Sequence, residues 1–182
     1  MKVTLAQLQH TLDTLDNGVL SYGMHEEGDG LFCALECLSK TRSKSEPVTD
    51  SPSAERVNTV DIRSLNDMFG MGLEADRLRT IHVLPIVAEL SDWSVWSRKR
   101  QKRFIEHVIV ETVKQIIAEL PGLPKDIQNQ CRAVNNLAAA RSAAYAARSA
   151  VAAAARSAAH LKICIVTCNL WMKAAKDSEN LK

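Results

Sequence analysis

Between Leu137 and His160 the chain reads LAAARSAAYAARSAVAAAARSAAH, and nothing else in it restricts the fold as strongly. The unit Ala-Arg-Ser-Ala occurs three times and places Arg141, Arg148 and Arg156 seven and eight residues apart. Alanine has the highest helix propensity, and neither Gly nor Pro follows Pro124. The stretch is therefore expected to be helical. At about 100° per residue the three arginines fall within roughly an 80° sector of the helix surface. A membrane span is excluded here, because a charge every second turn interrupts the ~20 apolar residues a span requires. A helix coated in methyl groups lets a neighbouring backbone come close but buries little area per residue. It must be held by other helices, from this chain or a second copy.

That requirement sets the fold class: all-α, a single-domain helical bundle over residues 1–182 with long Ala-rich C-terminal helices. A chain of 182 residues is the size of one domain, and its 46% hydrophobic content suffices for a core. Only 4% of the residues are aromatic, so the core is aliphatic and rich in Ala. Nothing between Lys125 and Lys176 forces a break, yet one helix of that length would run ~78 Å, too long for a compact domain. The Ala-rich region of residues 125–176 is expected to turn near Asn135-Asn136 or around His160.

The first helix is expected over Thr4 to Asp16. Thr4 and Gln7 form a capping box, Leu5, Leu8, Leu12 and Leu15 form an apolar stripe, and Asn17-Gly18 ends it. A short extended piece is expected from Val19, then an acidic loop, then a helix over Leu31 to Ser39. Residues 40–60 are rich in Ser, Pro, Lys and Glu and read as a long mobile loop. Asp61 to Gly72 reads as irregular. A helix is expected over Leu73 to Leu90, with a kink or break near Leu84 caused by Pro85. Trp93 and Trp96 mark a junction. Ser97 to Leu120 has the clearest helical period, and Leu120-Pro-Gly-Leu-Pro124 ends it. The last helix, His160 to Lys176, is expected to bury Ile163, Val166, Leu170 and Trp171.

The chemistry of common enzyme sites is missing from the sequence. No phosphate-binding Gly-rich loop, HExxH or GxSxG occurs, and the histidines His10, His25, His82, His107 and His160 are scattered singly along the chain. Cys33/Cys37 and Cys164/Cys168 are i, i+4 pairs among apolar neighbours, and Cys131 stands alone. They read as small buried hydrophobes in place of a zinc site. No catalytic residue, cofactor or metal is expected, and the chain reads as a binding protein and not an enzyme. The net charge of +2 does not call for a nucleic-acid partner. The chain opens directly on an amphipathic pattern, which points to a cytoplasmic protein without a membrane anchor.

A set of short pieces, in order, carries a resemblance. These are Tyr22-Gly23-Met24, Phe32-Cys33-Ala34-Leu35-Glu36, Arg63-Ser64-Leu65-Asn66-Asp67, Arg79-Thr80 with Leu84-Pro85, Trp93 and Trp96, and Glu111-Thr112-Val113-Lys114-Gln115-Ile116. With the Ala-rich tail, Trp171 and Ala174-Ala175, they resemble a family of uncharacterised small all-helical proteins of bacteria and their phages, some of them labelled putative immunity proteins. This chain departs from that family in placing Arg-Ser where the tail usually carries aromatics. The resemblance implies an all-helical protein without assigned enzyme activity. By analogy with phage proteins of this style it implies counter-defence in the host cytoplasm, by sequestration of a nucleotide signal.

The residues expected to bind are Arg141, Arg148 and Arg156 with Arg98, Arg100 and Arg103, which would meet phosphates. Tyr145, Trp93 or Trp96 would stack on a base. The ligand would be a small anionic nucleotide held between helices. The alternative is a protein–protein interaction module, an immunity- or antitoxin-like inhibitor of a partner protein, with the arginines at the interface rim. A homo-oligomer is expected in either case, since a second copy supplies a surface for the Ala-rich helices.

Overall fold

The computed structural model describes residues 2–15, 17–22, 33–42, 62–150 and 160–181. Among these residues the secondary structure is entirely helical. The helices are α1 (Leu5–Leu15), α2 (Ala34–Arg42), α3 (Arg63–Asp67), α4 (Leu73–Leu90), α5 (Arg98–Gln115), α6 (Lys125–Arg132), α7 (Leu137–Ala150) and α8 (His160–Asp177). Single 3-10 turns lie at Trp93–Val95 and Ile117–Glu119. The chain divides into two compact units, Met1–Trp96 and Ser97–Lys182, where one domain was expected. No described helix is long and apolar enough to cross a membrane.

In the first unit α1, α2 and α4 pack against one another, and α3 packs on α2 and α4. The capping box that starts α1 is formed: Thr4 N donates to Gln7 Oε1 at 2.9 Å, and Gln7 N donates to Thr4 Oγ1 at 3.2 Å. Leu8 and Leu12 are fully buried, whereas Leu5 is exposed. Gly18 ends the segment with φ 81°, a conformation open to glycine. Helix α2 begins three residues later than expected and reaches Arg42, so residues 40–42 are helical and not loop. Its start is fixed by side chains: Glu36 Oε2 accepts from Cys33 N at 2.7 Å, and Asn66 Oδ1 accepts from Ala34 N at 3.1 Å. The expected loop of residues 43–60 lies outside the described residues.

Two further expectations change. The segment read as irregular contains α3, anchored by buried Ile62 and Leu65. Pro85 does not break α4, which continues to Leu90. The ring removes the hydrogen bond to the carbonyl of Ile81, a residue on the exposed side of the helix, where water can satisfy that oxygen.

In the second unit α5 is central, with α6, α7 and α8 packed on it. Ser97 caps α5, its Oγ accepting from Arg100 N at 3.3 Å. The helix ends at Gln115, five residues before the expected Leu120. Leu120 precedes Pro121 and is extended (φ −63°, ψ 130°), so the last residues close as a 3-10 turn. The turn expected near Asn135-Asn136 is present, and Asn136 Oδ1 caps α7 by accepting from Ala139 N at 2.9 Å. Ala140, Ala143 and Ala147 on α7 join Val113, Ala118, Leu123, Cys131 and Val134 in one core cluster. The methyl face of the described part of the repeat is thus covered by helices of the same chain. On α8 the buried face is Cys164, Cys168, Leu170, Ala174 and Ala175, while Ile163, Val166 and Trp171 are half-buried. Phe104 meets Trp171 edge-on, with ring centroids 5.5 Å apart.

Candidate functional site

The Ala-rich helix presents two opposed faces. Ala140, Ala143 and Ala147 turn inward, and Arg141, Tyr145 and Arg148 are exposed. At about 100° per residue the outer three fall within roughly a 60° sector, centred about 130° from the alanines. Tyr145 keeps 75% of its surface in solvent, between one guanidinium four residues before it and another three residues after it. Helix α7 carries no acidic residue, so neither guanidinium is paired with a carboxylate on the same helix. Arg156, the third repeat arginine, lies outside the described residues.

The arginines of α5 have other work. Arg100 is half-buried, with Nε and one terminal nitrogen donating to Ser178 Oγ at 3.0 and 2.8 Å and the other terminal nitrogen to Glu179 Oε1 at 3.2 Å. Arg103 donates to the carbonyl of Leu181 at 2.9 Å. Both tie the end of α8 to the start of α5, where cations also meet the negative end of the α8 dipole. They act as tethers within the second unit. Arg98 is exposed. The α7 core face packs with Ile109, Val110 and Val113, later in α5 than the arginines.

The tryptophans belong to the first unit. Their rings are 5.1 Å apart and tilted by 45°. Trp96 is buried, and its Nε1 donates to Asp92 Oδ1 at 2.9 Å. The described arginines of the repeat face outward and do not line a space between helices. A separate open cleft of about 200 Å³ occurs in the second unit, lined by Gln115, Ile116, Glu119, Pro121, Lys162, Ile163 and Val166. Glu119 there is engaged by Arg132 at 2.7 Å.

All five cysteines are free and buried. Burial first, and the Glu36 carboxylate second, push the Cys33 thiol up to about 12. Burial, then Cys164, does the same at Cys168, also to about 12. Burial raises Cys131 and Cys164 as well. A raised thiol carries less of the reactive thiolate. Among the described residues no three His, Cys, Asp or Glu converge as a metal site would need.

One further constellation joins residues far apart in the sequence. Arg79 is fully buried in the first unit. Its Nε donates to the Asn66 carbonyl at 2.6 Å and one terminal nitrogen to the Leu20 carbonyl at 3.0 Å. Asp76 and the Gly70 carbonyl complete its partners. Asn66 in turn donates to the Ser21 carbonyl at 3.0 Å, and Thr80 Oγ1 accepts from Leu20 N at 2.7 Å. Every partner stabilises a loop or a helix start, so this is a structural hub. Compared with protein-family models, curated proteins and solved structures, the chain matched none of them.

Proposed function

We propose that the chain is a non-catalytic interaction protein that recognises an acidic surface on a partner protein through the outer face of α7. One observation carries the reading: Arg141, Tyr145 and Arg148 stand exposed in a single stripe on a helix whose opposite face is sealed. The stripe is convex. Small-ligand sites are concave and enclose most of the ligand, whereas Arg and Tyr on an open face are the residue types that dominate protein interfaces. Guanidiniums pair with carboxylates in a fork, and the ring between them adds apolar area at little entropic cost. An inhibitor of the immunity type fits this description.

The test is quantitative capture of partners from a host lysate on wild-type chain, Arg148→Glu and Arg141→Glu. A partner bound through this face is lost from both variants while far-UV circular dichroism is unchanged. A partner retained equally by all three removes the reading.

The exposed Tyr145 ring flanked by two guanidiniums favours a second reading, a nucleotide-type anion stacked on the tyrosine. A thermal-shift screen against mono- and cyclic nucleotides decides it. Saturation at 100 times Kd adds ~2.7 kcal/mol of stability, and Arg148→Glu should erase the shift. No shift with any nucleotide leaves the protein partner alone.

A further inference from the structure

Large apolar side chains stand exposed at the start of α4, on the first unit and far in sequence from the α7 stripe. Met71 is 80% exposed, Leu73 60% and Ile81 63%. Leu73, Glu74, Arg77 and Ile81 fall within roughly a 100° sector of the helix, so they form one face, with Met71 in the turn at its N-terminal end. The same sector is buried further along α4, where Leu84 and Ala88 enter the core. The free face is confined to the first half of the helix.

The charges on this face are one acid and one base, three residues apart. Glu74 and Arg77 are both exposed, and neither forms an ion pair with a described residue. That arrangement is self-complementary. We propose that the exposed face of α4 is an isologous dimer interface, occupied by the same face of a second copy in an antiparallel crossing. Setting Glu74 opposite the partner's Arg77 makes the pair twice, once on each side of the two-fold axis. The same register brings Ile81 to the partner's Met71 turn and Leu73 to the partner's Leu78. Each of these apolar contacts is likewise made twice, so four flank the two ion pairs, and the charges fix a single register. Three large apolar side chains a copy suit an interface near the lower limit of specific complexes, about 1,200 Å² in total, the size class of weak, exchanging contacts.

Sedimentation velocity over a micromolar concentration series tests this on the full chain. Wild type should move from monomer to dimer as concentration rises. Ile81→Glu should raise the dimer dissociation constant at least about tenfold. Glu74→Arg and Arg77→Glu should each be monomeric, because each sets like charges across the axis. An equimolar mixture of these two single variants should associate again, since one copy then carries two arginines and the other two glutamates. Circular dichroism and thermal melting of each variant establish that it is folded. A wild type that stays monomeric, a dimer that Ile81→Glu does not weaken, or folded single variants that fail to associate on mixing would each overturn the proposal.

Discussion

Arg79 shows how much one side chain can organise. Its guanidinium reaches three carbonyl oxygens and the Asp76 carboxylate from a position with no solvent exposure. Removing a buried charge with satisfied partners leaves those partners desolvated and unpaired, which costs about 3–5 kcal/mol. Arg79→Ala should lower the melting temperature of the protein by many degrees. Arg79→Lys should recover little of it, because an ammonium cannot reproduce the planar fork that meets several acceptors at once. Recovery of wild-type stability by lysine would show that charge and not geometry matters at this position. Nothing local announces this residue. An arginine on an amphipathic helix reads as surface, and the carbonyls that make its burial tolerable come from Leu20, Asn66 and Gly70. The Arg100 and Arg103 tethers were hidden for the same reason, since their acceptors lie 78 and 79 residues away. The cysteines were read from their apolar neighbours alone, and all five are buried.

At the scale of helices, local rules worked where the signal was local. The Thr4/Gln7 box and the Asn136 cap both form within three residues of the helix start. The α2 start was misplaced because it depends on Asn66, 32 residues further on. In α7 the period of the repeat already separates alanines from arginines, and packing decides which side is covered. The covered side has no room to spare, which gives a direct check. Ala143 is fully buried against α5 and α6, and Ala138 is exposed on the same helix. Ala143→Leu should destabilise the protein by about 1–3 kcal/mol through overpacking, whereas Ala138→Leu should change stability by no more than about 0.5 kcal/mol. Urea unfolding followed by circular dichroism measures both. Equal effects would mean that α7 is not held by its alanine face.

At the scale of the whole molecule, each unit carries a buried thiol whose ionisation folding opposes: Cys33 in the first and Cys168 in the second. Folding raises both from the ordinary value of 9.0 to about 12, chiefly by burial. The protonated form is favoured in the native state, so this contribution to stability is complete below pH 9. It is lost progressively as pH rises from there toward 12. Thermal stability should hold to about pH 8.5 and then fall, and the fall between about pH 9 and 10 should shrink in Cys33→Ala/Cys168→Ala. An unchanged slope in that variant would assign the alkaline loss to other groups.

From the sequence alone it follows that the chain is helical, that the repeat favours a helix with arginine and alanine on different faces, and that the Ala-rich region has to turn near Asn135-Asn136 or around His160. These follow from propensity, period and capping, which act within a few residues. Packing at long range settled that the chain forms two compact units, that Arg79 is buried, and that Arg100 and Arg103 secure the C-terminal turn. It also decided that the alanine face is closed by α5 and α6 while the arginines remain outside. Those outcomes depend on which distant carbonyls, hydroxyls and methyl groups arrive at the same place, and no spacing along the chain encodes that meeting.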